Sequence, residues 1–169
     1  MLILWAHGKE SGPWGSKLTA LVKAARDLGF EADSLDYRSL PAEERVKKLV
    51  VHGRKIKQPL VLAGSSMGGY VAAEAACRLS VAGLFLLAPA LYRAGEPDRE
   101  YRLTTPHIAI VHGWRDTIIP PENSFRFAAR HRAELHLVDG DHRLIENLPE
   151  ILVYYTRFLE TVRGERGKK

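Results

Sequence analysis

Short apolar runs alternate with longer stretches of mixed character along this 169-residue chain. The runs are nearly continuous, as in strands buried on both faces. The stretches carry apolar residues three and four apart, as on one face of a helix. Leu2–His7 predicts a first strand, followed by a glycine-rich loop and a helix near Ser16–Leu28 that Gly29 ends. Glu31–Tyr37 alternates and closes in a polar turn, which predicts a strand near the sheet edge. Pro41 opens a helix through about His52, with Gly53 after it. Leu60–Ala63 predicts a strand, and the alanine-rich Met67–Leu79 predicts a helix with Val71, Ala75 and Leu79 at helical spacing. Leu84–Ala88 is the next strand, closed by Pro89. Leu91–Pro106 is polar and charged, without a period. Then come a strand at Ile108–His112, a helix at Pro121–Arg130, a strand at Glu134–Val138 and a last helix at Pro149–Val162. Arg163–Lys169 reads as a disordered tail.

Alternation of strand and helix implies a parallel α/β sheet of about six strands, with right-handed crossovers and helices on both faces. No repeat, low-complexity tract or internal linker interrupts residues 1–162, which read as a single domain. Sites in such sheets form at the carboxyl ends of the strands. That rule sets side by side the loop after His7, the loop holding Ser66, and the loops after His112 and Val138.

Composition narrows the setting. The length suffices to bury roughly 70% of the unfolded surface. No apolar run approaches the roughly 20 residues of a membrane span. The start, Met1-Leu-Ile-Leu-Trp-Ala, lacks the basic opening of a secretory signal. Cys77 is the one cysteine, so no intramolecular disulfide forms; it reads as a small core residue, and a cytoplasmic setting is expected. The net charge of +5 and pI of 9.4 raise the question of nucleic acid. Arg45, Lys47, Lys48, Arg54, Lys55 and Lys57 cluster, but no aromatic residues stand among them for base stacking. They read as a solvated helix face, and nucleic acid is not the expected partner.

The candidate chemistry centres on Gly64-Ser-Ser66-Met-Gly68. Gly-x-Ser-x-Gly alone arises by chance about one time in twenty in a chain of this length, at glycine and serine frequencies of roughly 7% each. Its context between an apolar strand and an alanine-rich helix raises it. The glycines permit a sharp turn that holds the Ser66 hydroxyl clear of the backbone. Serine needs a base to take its proton, and histidine is the default. His142 follows the last strand in Asp139-Gly-Asp-His142, at the correct end of the sheet. His7 and His112 also end strands, but each is followed by glycine and reads as a turn residue. The base needs a carboxylate to fix its tautomer. Asp116, just past the fifth strand, is the expected one; Asp139 and Asp141 read as caps of the local turn, and Asp98 lies in the irregular segment before that strand. An oxyanion needs two donors: the N–H of Met67 and, from the Gly8 loop, that of Lys9. Trp14, Tyr70, Tyr92 and Trp114 are candidate pocket aromatics. The scheme calls for no cofactor and no metal.

With Leu4-Trp-Ala-His7-Gly8, Gly64-Ser-Ser66-Met-Gly68-Gly69, His112-Gly-Trp-Arg-Asp116 and Gly140-Asp-His142 in this order, the chain resembles a small α/β-hydrolase of the compact bacterial carboxylesterase-like type. The resemblance implies Ser66 as nucleophile, Asp116 as acid and His142 as base, with a small-molecule ester as substrate. The chain departs from larger members in starting directly at the His-Gly strand and in having only a short polar segment where many carry a lid. Thioesterase or small-peptidase activity could use the same residues, and a non-catalytic binding protein could keep the fold. The sequence carries no signal for oligomeric state.

Overall fold

Six parallel strands form one sheet in the order β2-β1-β3-β4-β5-β6 in a computed structural model that describes residues 1–92, 95 and 99–164. The strands are β1 (Leu2–Ala6), β2 (Glu31–Ser34), β3 (Leu60–Ser65), β4 (Gly83–Leu87), β5 (Ile108–Gly113) and β6 (Glu134–Val138). The helices are α1 (Ser16–Asp27), α2 (Ala42–Gly53), α3 (Met67–Ala76), α4 (Pro121–His131) and α5 (Leu148–Gly164). The expected all-parallel α/β architecture is present. β2 is an edge strand, as its alternating pattern predicts, but it stops at Ser34; Tyr37 lies beyond it, buried against His7. α3 ends at Ala76, and Cys77 caps it, half-buried, with its thiol donating to the Ala73 carbonyl. α5 runs on to Gly164, so Arg163 and Gly164 belong to a helix; the rest of the expected tail, residues 165–169, lies outside the described residues.

Period two along the strands divides the core cleanly. Leu2, Leu4, Ala6, Leu60, Leu62, Leu84, Leu86, Ile108 and Ile110 face one way and pack with residues of α2, α3 and α4. Ile3, Trp5, Val61, Ala63, Phe85, Leu87, Ala109 and Val111 face the other way and pack with α1 and α5. Continuous apolar runs are what a sheet covered on both faces requires. The chain leaves β1 outward to β2 and then crosses back to β3, so strand order reverses between β1 and β3. That reversal opens a crevice at the carboxyl ends of those two strands.

The connection between β4 and β5 contains neither helix nor strand among its described residues; Pro97 and Asp98 fall outside them. No helix among the described residues is long and apolar enough to cross a membrane.

Candidate active site

β3 ends at Ser65, and Ser66 turns the chain into α3 with φ 55° and ψ −121°. Such a backbone costs a side-chain-bearing residue about 1–3 kcal/mol. Two glycines make the turn possible. A methyl on Gly64 would fall on the Gly68 carbonyl and 2.8 Å from the Gly69 nitrogen. A methyl on Gly68 would fall on the Ala6 carbonyl and 2.7 Å from that of His7. The backbone of Ser66 is tied down: its N–H donates to the Leu87 carbonyl at 2.9 Å, and its carbonyl accepts from Gly69 and Ala90 at 2.9 and 3.0 Å. α3 opens at Met67, whose N–H therefore has no intrahelical carbonyl to bond.

The loops after β5 and β6 interlock beside this turn. Trp114 N–H donates to the Val138 carbonyl and Arg115 N–H to the Gly140 carbonyl, each at 2.9 Å. Gly113 must be glycine for this approach, since a methyl there would meet the Gly140 carbonyl. The result is a continuous chain of hydrogen bonds. Ser66 Oγ lies 2.9 Å from His142 Nε2, and His142 Nδ1 lies 2.7 Å from Asp116 Oδ2. The Asp116 side chain is fully buried, and its Oδ1 accepts from the N–H groups of Ile118 and Ile119, both at 2.8 Å. Burial alone would push the Asp116 pKa up; the N–H of Ile119, the His142 ring and the N–H of Ile118 outweigh it and hold the carboxyl below its ordinary value. An ionised carboxylate only accepts, so His142 carries its proton on Nδ1 and leaves Nε2 open to the Ser66 hydroxyl. Asp141 caps its own turn, accepting from Arg143 and Leu144, and Asp139 pairs with Arg115.

Neither His7 nor His112 is a turn residue. Both are buried and hydrogen-bonded. His112 Nε2 faces two acceptors, Asp116 Oδ2 at 2.9 Å and the Ile119 carbonyl at 3.1 Å, so it holds the proton; Nδ1 then accepts from the Ser124 hydroxyl at 2.7 Å. Burial lowers the His112 pKa and favours the neutral ring. His7 Nε2 accepts the Tyr37 N–H at 2.9 Å, which puts the proton on Nδ1 for the Gly8 carbonyl at 2.8 Å.

Arg45 departs from the expected solvated basic face. It is 2% exposed and ion-pairs with no carboxylate among the described residues. It donates to the carbonyls of Leu40, His7 and Gly8 at 2.9, 3.3 and 3.1 Å. The Gly8 carbonyl is thus held inward by two donors. The Gly8–Lys9 peptide bond is trans, so the N–H of Lys9 points the opposite way. The Gly8 backbone runs close to Ser66, since a methyl on Gly8 would lie 3.7 Å from the Ser66 Cβ. Lys17 of α1 donates to the Arg143 carbonyl at 2.7 Å and lies 3.4 Å from Ser65 Oγ; burial pushes its pKa down to about 8.

The four aromatic candidates separate. Trp14 and Trp114 are 49% and 60% exposed on loops at the carboxyl end of the sheet. Tyr70 is instead buried one helical turn past Ser66, where its hydroxyl donates to Glu43 of α2 at 2.7 Å and Arg99 lies over its ring. Its position four residues into α3 carries it onto the α2 face, away from solvent. Tyr92 is half-buried, edge-on to Tyr101 and beneath Arg126.

The alpha/beta hydrolase domain family matches residues 38–148. No curated protein matches the sequence. Among solved structures, a protein of Xanthomonas campestris pv. campestris assigned to the hydrolases of the alpha/beta superfamily is 31% identical, with a TM-score of 0.86 over 95% of this chain and 98% of its own. Est1E of Butyrivibrio proteoclasticus is 17% identical, with a TM-score of 0.81 over 96% and 88%. A lidless alpha/beta serine hydrolase of Xanthomonas campestris is 19% identical, with a TM-score of 0.73 over 95% and 81%. At such identities the last two share the fold.

Proposed function

The chain belongs to the alpha/beta hydrolase family, and from that premise we propose that it is a serine hydrolase cleaving small carboxylic esters through an acyl-enzyme on Ser66. The observation that carries this reading is the unbroken hydrogen-bond chain from the strained Ser66 through His142 to the buried Asp116. His142 Nε2 takes the hydroxyl proton as Ser66 attacks the ester carbonyl. Asp116, kept ionised by its four donors, stabilises the imidazolium that forms. The tetrahedral oxyanion accepts from the N–H of Met67 and that of Lys9. The imidazolium then protonates the departing alcohol. In the second half His142 activates water, which releases the acid and restores Ser66.

The β4–β5 connection, without helix or strand among its described residues, and the exposure of Trp14 and Trp114 support an open site in which a long acyl chain stays largely in water. Each additional buried methylene of a substrate is worth about 0.8 kcal/mol only where it leaves water. Short acyl chains are therefore the expected substrates. A fluorophosphonate probe should label Ser66 in the wild type and not in Ser66→Ala. In a series of p-nitrophenyl esters, kcat/KM should be greatest between acetate and butyrate. An unlabelled wild-type protein refutes the hydrolase reading. An optimum at twelve or more carbons refutes the open site alone.

A further inference from the structure

Asp116 carries one hydrogen bond more than proton transfer through His142 requires. Its Oδ2 accepts not only from His142 at 2.7 Å but also from His112 at 2.9 Å. His112 comes from inside β5, and its ring is fully buried. We propose that His112 is a positioning residue: a neutral donor locked inside the sheet that fixes the plane of the Asp116 carboxylate and keeps Oδ2 aimed at His142. The proposal rests on the reading of His142 and Asp116 as base and acid.

The argument is geometric. The N–H groups of Ile118 and Ile119 both hold Oδ1, which pins one oxygen and leaves the carboxylate free to tilt about it. A second pin on Oδ2 removes that freedom. His112 supplies it from a ring that cannot itself turn. Ser124 on α4, also fully buried, holds Nδ1 at 2.7 Å, and the Ile119 carbonyl shares the Nε2 proton at 3.1 Å. Ile119 thus donates to one carboxylate oxygen and shares through its carbonyl the donor of the other, which closes the loop 116–119 around the acid.

Charge explains why the donor is a buried histidine. The groups facing this ring are the Asp116 carboxylate, the Ser124 hydroxyl, the Ile119 carbonyl and, across the carboxylate, His142. A permanent cation in this place would neutralise Asp116 before the imidazolium of His142 formed. A neutral donor orients the carboxylate and leaves its charge for His142. Burial acts in the same sense, lowering the pKa of His112 despite the adjacent carboxylate.

Two measurements test this. In protein labelled with ¹⁵N-imidazole histidine, the His112 signals should report a protonated Nε2 and a bare Nδ1 at pH 8, and any protonation of the ring should come at lower pH than for a free histidine. A reversed tautomer, or titration like that of a free histidine, overturns the proposal. The second compares His112→Gln, whose amide nitrogen can replace Nε2–H, with His112→Leu, which has no donor. His112→Leu should lower kcat for p-nitrophenyl acetate about tenfold or more, with KM within about twofold, as loss of orientation does. His112→Gln should recover kcat to within about threefold of wild type. Val111→Ala, a neighbouring core change on β5, should lower the melting temperature without that kcat loss. Equal activity of the Gln and Leu variants, or a Leu variant within about threefold of wild type, overturns the proposal. If His112→Leu does not fold, Ser124→Ala serves: it leaves His112 in place but unpins the ring, and an unchanged kcat contradicts the mechanism. Wild-type protein that takes up no fluorophosphonate refutes the hydrolase reading, while the ¹⁵N measurement still decides the state of His112.

Discussion

Replacing Ser66 by glycine should make the protein more stable than replacing it by alanine, the reverse of the usual order. Both variants lose the hydroxyl and its 2.9 Å contact with His142. They differ only in Cβ. Alanine keeps the side-chain clash that a φ of 55° and ψ of −121° imposes, and glycine removes it. The strain is worth about 1–3 kcal/mol. Against it, glycine gives the unfolded chain extra freedom worth about 0.5–1 kcal/mol. The balance favours glycine by about 1 kcal/mol. In a domain of this size that is a melting temperature about 2–4 °C above the alanine variant. Scanning calorimetry at pH 7.5 reads the difference directly. Circular dichroism checks that both variants are folded, and a fluorophosphonate probe should label neither. An alanine variant that melts at or above the glycine variant would show that the turn at Ser66 stores no strain.

Four further outcomes follow from named contacts. Gly68→Ala should lose more than the about 1–3 kcal/mol of ordinary overpacking, because the added methyl meets backbone carbonyls of β1 and its loop; Gly12→Ala, with open space around it, should stay within about 0.5 kcal/mol in urea unfolding. Stability should fall as pH drops below about 6.5, because the unfolded chain protonates His7 and His112 there while burial keeps both neutral when folded; the slope is at most about 1.4 kcal/mol per pH unit for each, and His112→Gln should flatten it. Lys17 acts at the other end: its folded pKa of about 8 lies below the unfolded value, so its contribution rises from pH 8 towards 10, and Lys17→Met should abolish that rise. Arg45→Met should lower kcat while Ser66 still labels, because one of the two donors on the Gly8 carbonyl is lost and the Lys9 N–H is less firmly aimed; an unchanged kcat argues against Lys9 as a donor.

The central strands were legible because burial on both faces leaves no room for ambiguity. Leu60–Ala63 and Leu84–Leu87 are apolar at every position. The ends were less legible. Tyr37 continues the alternation of β2, yet the neighbouring strand β1 pairs with β2 only through Trp5 opposite Ser34. Beyond that pair Tyr37 has no ladder partner, and its N–H goes to His7 instead. Alternation reports the face on which a side chain lies; it does not report how far the neighbouring strand extends.

A similar distinction explains what could be read of the site. Ser66, Asp116 and His142 each follow a strand, and in a parallel sheet every such position comes to the same edge. Their meeting was therefore inferable from order alone. His7 and His112 sit at the same edge, and the glycine after each suggested a turn. Gly113 instead still belongs to β5, and for both histidines the decisive fact is burial. A histidine ending an apolar run cannot remain inside without partners for both ring nitrogens. His112 finds them in Asp116 and Ser124, and His7 in Gly8 and Tyr37. Arg45 was hidden for a related reason. Its neighbours Lys47 and Lys48 are exposed, but it lies on the inward side of α2 among Val46, Leu49 and Val50. A guanidinium on that face must be satisfied by something within reach, and since Arg45 ion-pairs with no carboxylate among the described residues, the carbonyls of the Gly8 loop take the part. Sequence order located the groups proposed to do the chemistry. The groups that hold them in place are polar residues at apolar positions, and each marks a partner that the fold must supply.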